Sequence, residues 1–277
     1  MKTDIKLEEM VKERISIRTY EKTAVEEEKK KLLIDYMNSC TNPFEIPVRF
    51  ELLQKDVGNG EKLGTYGMIA HANLFLAAAV KNIPLGLEAL GYSFEKIVLY
   101  ATFLGLGTCW LGGSFQKGEF SKAIRLKEDE LLPVVSPIGY AGKIGMRDRL
   151  LRKFVNAENR KPFETMFFEN DFMTTLNEGQ LSPSEKNALE MLRLAPSAAN
   201  KQPWKVIKEG NLYHFYEEKS FKESNGIDIQ RVDMGIAACH FDLAMAEQGK
   251  KGNFYVEQSK SENIQDKYDY IFTWKLN

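Results

Sequence analysis

Residues 194–204 read LAPSAANKQPW, and this stretch connects a predicted helix to a predicted strand. The helix over residues 185–194 ends at Ala195, because the ring of Pro196 disfavours helical geometry in the residue before it. The strand begins at Lys205. The sequence therefore predicts a helix, a turn of small, polar and rigid residues, and a strand in succession.

The turn carries polar groups that suit either of two structures. Ser197 and Asn200 offer a hydroxyl and an amide, and Gln202 adds a further donor and acceptor. These groups can hydrogen-bond either to their own backbone or to a polar ring system. An ordinary turn above a buried Trp204 accounts for any one of these residues, whereas all of them together favour a binding turn.

The composition is that of a globular protein. The chain has 277 residues, 43% of them hydrophobic and 28% charged, and a formal net charge of −1. This length fits one large domain or two modest ones, and the charge balance does not indicate a nucleic-acid partner. We find no signal-peptide pattern and no apolar run of the ~20 residues that a membrane span needs. We therefore expect a cytoplasmic protein with neither a nucleic-acid nor a membrane partner.

The three cysteines are Cys40, Cys109 and Cys239. They form no C-x-x-C pair, and no histidine lies near them at zinc-ligand spacing. We therefore expect buried free thiols and no metal site.

The segment RISIR, residues 14–18, places Arg14, Ser16 and Arg18 at alternate positions. If the segment is extended, these three side chains share one face, and the two isoleucines between them point to the core. Guanidinium groups bind phosphate oxygens through a planar fork. A phosphate site and a solvated edge explain the pattern equally well.

A second notable segment is GLGTCWLGG, residues 105–113, in which four of nine residues are glycine. Such a backbone either bends sharply or approaches another group closely. A flat ligand against Gly112 and Gly113 would explain the glycines, and a tight turn beneath Trp110 would explain them nearly as well. The segment lacks both the phosphate-loop and the dinucleotide-binding fingerprints.

Periodicity predicts the other elements. The predicted helices cover residues 6–14, 25–38, 93–104 and 146–155, the predicted strands cover 47–53, 73–80 and 132–140, and a Gly-rich loop covers 57–64. The third helix lies between Gly91 and Gly105 and is apolar on nearly every side, which indicates burial. Residues 169–184 are polar and rich in helix breakers, so we place a junction there and predict two halves, 1–168 and 169–277.

The second half resembles the first, which indicates an internal duplication. The matching positions are Leu33-Ile34, Ser39 and Asn42 with Met191-Leu192, Ser197 and Asn200, and Gly91, Leu99 and Gly105 with Gly235, Leu243 and Gly249. The halves differ in their motifs, because RISIR and Gly112-Gly113 occur only in the first and NKQPW only in the second. If the halves pack as a pseudo-dimer, one interface site is therefore complete and its symmetry mate is not.

Four segments resemble motifs of the FMN-dependent nitroreductases. RISIR looks like that family's R-x-S-x-R, LAPSAANKQPW is similar to its A-P-S-x-x-N-x-Q-P-W, GLGTCWLGG resembles its G-L-G-x-x-W-x-G-G, and NRKP at 159–162 is like its R-K-P. The order departs from the family, in which the A-P-S motif follows soon after the first Arg motif. That departure fits a fused, duplicated chain, as in the single-chain TM nitroreductase-like subgroup.

The resemblance implies an α+β fold of mostly antiparallel sheets flanked by helices, with two related halves packed as a pseudo-dimer within a monomeric chain, while further self-association stays open. It implies an enzyme that binds FMN and passes hydride from NADH or NADPH through flavin N5 to a nitroaromatic, quinone or similar small oxidant, in a ping-pong sequence. The alternatives are an FMN storage or sensor protein without turnover, and a scaffold that has lost its cofactor.

The resemblance also implies roles for individual residues. The FMN phosphate would be held by Arg14, Ser16, Arg18, Arg160 and Lys161. The isoalloxazine and ribityl groups would be contacted from the other half by Pro196, Ser197, Ala198, Asn200 and Gln202. Backbone N–H groups near flavin N5 would come from Leu111, Gly112 and Gly113. No side chain is expected to act as an acid or base, because the flavin carries the redox chemistry.

Overall fold

The computed structural model describes residues 6–55, 63–143, 145, 149–150, 153, 156, 158–224, 226–257 and 267–277. The helices are α1 (Leu7–Glu13), α2 (Glu27–Ser39), α3 (Gly86–Phe103), α4 (Lys117–Ala123), α5 (Pro183–Leu194) and α6 (Ile229–Glu247). The strands are β1 (Val48–Gln54), β2 (Leu74–Lys81), β3 (Gly107–Thr108), β4 (Glu130–Leu131), β5 (Val135–Gly139), β6 (Phe167–Glu169), β7 (Trp204–Glu209), β8 (Leu212–Glu218), β9 (Gly252–Tyr255) and β10 (Tyr268–Leu276).

The strands form two five-stranded sheets. The first has the order β1-β2-β5-β3, with β4 paired to β2, and the second has the order β6-β7-β8-β10-β9. Every pairing between these strands is antiparallel except that of β6 with β7. The predicted α+β class, with mostly antiparallel sheets flanked by helices, is confirmed.

The two sheets are built along the same path. Each sheet is part of a lobe, in which a helix is followed by two adjacent strands, a long buried helix and two further strands. Numbered along the chain, these four strands lie side by side in the sheet in the order first, second, fourth, third. The first lobe comprises α2, β1, β2, α3, β3 and β5, and the second comprises α5, β7, β8, α6, β9 and β10. The boundary predicted after residue 168 falls within β6, which pairs with β7 of the second lobe, and it stays a prediction.

The two long helices cross in close contact at a pair of glycines. A Cβ added to Gly91 would lie 2.1 Å from the carbonyl oxygen of Val232, and one added to Gly235 would lie 2.0 Å from that of Glu88. Val232 precedes Gly235 by about one helical turn, and Glu88 precedes Gly91 by the same distance. The contact is therefore reciprocal. Only residues without a Cβ allow two backbones to approach this closely.

Gly91 and Gly105 were expected to bracket one helix, and Gly235 and Gly249 another. Gly105 and Gly249 do follow the ends of α3 and α6, but the prediction is wrong for Gly91 and Gly235. Gly91 lies inside α3, which begins at Gly86, and Gly235 lies inside α6, which begins at Ile229. Glycine is unfavourable in the interior of a helix. It occurs in both helices because the crossing requires it. A prediction that treats glycine as a marker of helix ends cannot anticipate this.

Most other predicted elements agree with the structure to within a few residues. The helix α5 begins with a capping box, in which Ser182 and Glu185 exchange hydrogen bonds, and it ends at Leu194 before Ala195 as predicted. The three cysteines are free thiols, and Cys109 and Cys239 are buried as expected, whereas Cys40 is only partly buried. The predicted basic helix over 146–155 and most of the loop over 57–64 lie outside the described residues. In the part of the chain that the structure describes, no helix has the length and apolarity needed to cross a membrane.

We expect Gly91→Ala to lower the free energy of unfolding by about 3 kcal/mol or more, because its methyl group would collide with a backbone carbonyl that cannot move alone. Denaturant unfolding followed by circular dichroism measures this change. Gly118→Ala in α4 is the matched control, since a Cβ there meets nothing within 4 Å. Equal stability of the two variants would contradict the role assigned to the crossing.

Candidate functional site

A cleft of about 420 Å³ lies where the first turns of α6 face the RISIR segment and the 194–200 turn. Its size is in the range of small-molecule sites. Its walls combine an apolar surface with a group of basic side chains, so it can hold a ligand that has both a flat apolar part and an anionic part.

Most of the predicted site residues meet in this cleft. Those that line it are Arg14, Ser16, Arg18, Gly112, Arg160, Pro196, Ser197, Ala198 and Asn200. They come from four separate segments of the chain and meet only in the folded structure. The predicted residues Leu111, Gly113, Lys161 and Gln202 are not among its lining residues.

Three of these four residues make other contacts. Leu111 is buried, and its backbone N–H donates to Val135. The Gln202 side chain accepts from the Lys161 backbone N–H at 2.8 Å, and the Lys161 ammonium donates to the Gln202 carbonyl and lies 3.3 Å from Glu218. Lys161 and Gln202 thereby bind the segment around residue 160 to the polar turn. Nothing lies within 4 Å of a Cβ built on Gly113.

The polar turn holds three non-glycine residues in the left-handed region. The φ angles are 46° at Ala199, 55° at Asn200 and 48° at Gln202. Such a backbone is costly and persists only where surrounding contacts enforce it. Here the Ser197 hydroxyl accepts from the Gln202 N–H at 2.8 Å, and both carboxyl oxygens of Asp233 lie 3.1 Å from the Ala198 nitrogen.

Asn200 fixes the position of Arg160. Its amide nitrogen donates to the carbonyls of Asn156 and Asn159 at 2.7 and 2.9 Å, and its oxygen accepts from Arg160 Nη1 at 3.3 Å. Arg160 Nη2 also donates to the Leu194 carbonyl. The Asn side chain thus orients a guanidinium that lines the cleft, a role that the motif alone does not reveal.

Three guanidiniums line the cleft: Arg14, Arg18 and Arg160. Burial lowers the pKa of Arg160, and the positive charges of Arg14 and Arg193 lower it further. Arg18 Nη1 is buried and has no hydrogen-bond partner among the described residues. Since a buried unsatisfied donor is costly, an anion between these groups would stabilise the site.

The RISIR segment is extended, but the expected burial of both its isoleucines is wrong for Ile15. Ser16 bridges to Thr108, and the Ile17 N–H donates to the Thr108 carbonyl at 2.8 Å. Ile17 is buried as predicted, whereas Ile15 is 37% exposed and lines the cleft. The segment makes only an isolated bridge to β3, so the core covers only one of the two isoleucines.

The sequence does not reveal that α6 closes the cleft. Ile229, Val232, Asp233 and Ile236 of α6 all line it, at the spacing of one helix face. Because α6 is buried over most of its surface, periodicity cannot distinguish the face toward a cleft from the face toward the core. The one available signal was Asp233, a carboxyl group within an otherwise apolar stripe.

Trp110 also lines the cleft, and a buried polar chain holds it. Its indole N–H donates to Glu95 Oε2 at 3.0 Å, Glu95 Oε1 lies 2.9 Å from His240 Nε2, and His240 Nδ1 lies 2.9 Å from the Met191 carbonyl. Trp110 also packs on Phe94. Gly112 follows two residues later, and a Cβ there would lie 3.1 Å from the Ile229 side chain. The glycine thus permits a close approach of this loop to α6.

The described residues contain no group of three or more His, Cys, Asp or Glu that could hold a metal ion. The donors in the cleft are cationic and amide groups. They suit an organic anion rather than a cation.

Comparisons with known proteins agree on the fold. A solved structure of a putative nitroreductase from Thermotoga maritima is 20% identical, with a TM-score of 0.66, and the match covers 100% of this chain and 96% of that one. A second solved structure, described as an oxidoreductase containing FMN, is 15% identical with a TM-score of 0.50, and the match covers 63% of this chain and 96% of that one. No curated protein matches the sequence.

A family model described as "Putative TM nitroreductase" matches residues 6–245, which is most of the chain. The match spans the RISIR motif, the glycine-rich segment and the LAPSAANKQPW turn. The chain therefore belongs to this nitroreductase family.

Proposed function

We propose that the chain is an FMN-dependent oxidoreductase that passes hydride from NADH or NADPH to a small oxidant such as a nitroaromatic or a quinone. The observation that carries the proposal is that RISIR and the LAPSAAN turn line one cleft although about 180 residues separate them in the sequence. Family membership and the fold shared with an FMN-containing oxidoreductase support it.

The lining residues suit FMN. Three guanidiniums, one with an unsatisfied buried donor, match a phosphate monoester that carries nearly two negative charges. Ile229, Val232 and Ile236 give the cleft an apolar wall suited to a flat ring system. The bound flavin would supply the redox chemistry.

The protein's own residues would bind and orient. Arg14, Arg18 and Arg160 would hold the phosphate, with Asn200 keeping Arg160 in place. The backbone of Ser197 and Ala198, fixed by the strained turn, would meet the ring system from the second lobe. The apolar face of α6 would exclude water, which strengthens each polar contact in the cleft.

We propose further that the two lobes are copies of one duplicated unit and that the chain holds one FMN. The shared strand order and the reciprocal glycine contact support the duplication. In the first lobe, the turn that corresponds to the polar turn carries Asn42, whose amide bonds Phe44 N and the Ile46 carbonyl. Phe44 packs against Tyr92, Phe254 and Phe272. Aromatic side chains thus occupy the region where a second ligand would otherwise bind.

The visible spectrum of the purified protein tests the function. We expect flavin absorbance, present on purification or gained with added FMN, that NADH or NADPH bleaches anaerobically. Extraction should give one FMN per chain. A protein that gains no flavin absorbance refutes the cofactor, and a flavoprotein that neither nicotinamide reduces would instead be an FMN storage or sensor protein. Two FMN per chain would contradict the single site.

We expect Arg18→Ala and Asn200→Ala each to weaken FMN binding, although they lie in opposite halves of the sequence. Loss of a charge-assisted contact should cost about 1.5–3 kcal/mol, or roughly 10- to 150-fold in Kd. Quenching of FMN fluorescence measures the Kd. Lys186→Ala, which removes an exposed charge from α5, is the control. An effect in only one of the two variants would contradict a shared site.

A further inference from the structure

The apolar face that α6 presents to the cleft contains one carboxyl group. Ile229, Val232 and Ile236 are its apolar members, and Asp233 is the exception. Asp233 belongs to none of the four motifs and has no part in phosphate binding. Its presence on a surface suited to a flat ring system requires an explanation.

Asp233 is buried without a cationic partner. Only 4% of the residue is exposed, and its hydrogen bond comes from the Ala198 backbone N–H. Among the described residues it forms no ion pair. The nearest cation in the sequence, Arg231, instead binds Glu88 at 2.8 Å and Glu217 at 3.1 Å. A buried carboxylate that no cation balances is strongly disfavoured.

Burial and two nearby carboxylates favour the protonated form of Asp233. Burial raises the pKa of Asp233 well above its usual value, the negative charges of Glu217 on β8 and Asp228 before α6 add to this, and the Ala198 N–H opposes it. The other charged residues that line the cleft are Lys12, Arg14, Arg18, Glu158 and Arg160. A protonated carboxyl group both accepts and donates hydrogen bonds.

The helix crossing does not itself demand a carboxyl group here. Asp233 lies two residues before Gly235, and Ala89 lies two residues before Gly91 on the matching helix. Ala89 is fully buried at that position. Since an alanine satisfies the packing on α3, the carboxyl group on α6 serves the side that carries the cleft.

We propose that neutral Asp233 donates a hydrogen bond from its O–H to the polar edge of the ring system in the cleft, while its other oxygen accepts from the Ala198 N–H. This inference rests on the proposed FMN site. Asp233 would then be a binding residue that ties the orientation of the ring to the polar turn. The bound ring would take up the one donor that the apolar face offers.

Two substitutions of Asp233 test this proposal, because one keeps an uncharged hydrogen-bond donor at this position and the other removes the polar group altogether. Asparagine can accept from Ala198 and donate to a ligand, as a neutral carboxyl group does, whereas alanine can do neither. We expect the FMN Kd to rise about tenfold or more in Asp233→Ala, the equivalent of about 1.4 kcal/mol, and to stay within about threefold of the wild type in Asp233→Asn. Asp35→Asn, at an exposed carboxylate of α2, is the control.

Infrared spectroscopy of the FMN complex gives a readout independent of activity. We expect a C=O band of a protonated carboxylic acid at pH 7 that shifts when FMN binds, disappears in Asp233→Asn and remains in Asp35→Asn. Absence of the band in the wild-type complex, or an Asn variant as weak as the Ala variant, overturns the proposal. If the wild-type protein binds no FMN, the proposed function itself fails. If it binds FMN and the Ala variant binds equally well, only the role of Asp233 fails.

Discussion

The close crossing of α3 and α6 at Gly91 and Gly235 is the constraint on which the rest of the structure depends. It brings the two backbones nearer than any side chain would allow. Each of the two helices is buried over most of its surface and packs against the sheet of its own lobe. The first turns of α6 lie opposite RISIR in the cleft. The Glu95–His240 contact between the same two helices then reaches Trp110 at the cleft.

The two lobes share a path of strands and helices but differ in what they place at their ends. The second lobe contributes a strained polar turn and a carboxyl group to the cleft, the first contributes a glycine-rich loop, and the guanidiniums come from RISIR before the first lobe and from Arg160 after it. In the first lobe, the turn after α2 carries Asn42, whose side-chain oxygen accepts from the Phe44 N–H, and Phe44 packs against Phe254 and Phe272. Two lobes with the same strand order thus differ in the residues at their ends, because the helix crossing constrains both glycines in the same way and does not constrain the residues that line the cleft.

Charge within the cleft is unevenly distributed. Three guanidiniums line it, while the face of α6 is apolar apart from one carboxyl group. Arg160 is the link between these regions, because Asn200 of the polar turn orients it and the same turn is bound to Asp233 through Ala198. The strain at Ala199 and Asn200 is sustained by these contacts. The turn therefore holds Arg160 and Asp233 in fixed positions relative to each other.

The sequence by itself determined the elements and the motifs. Pro196 ends α5 and the alternation in RISIR predicts an extended segment, because these effects are local in the chain, whereas the anionic, planar ligand is implied by the resemblance of the motifs to a known family. Only the tertiary structure decided that the motifs share one cleft, that Gly91 lies inside a helix, that Ile15 is exposed and that Asp233 faces the site. The position of Asp233 depends on how two helices, both buried on almost every side, are rotated against each other, whereas the exposure of Ile15 follows from the isolated bridge between RISIR and β3. Periodicity cannot supply that rotation when almost every face of a helix is apolar.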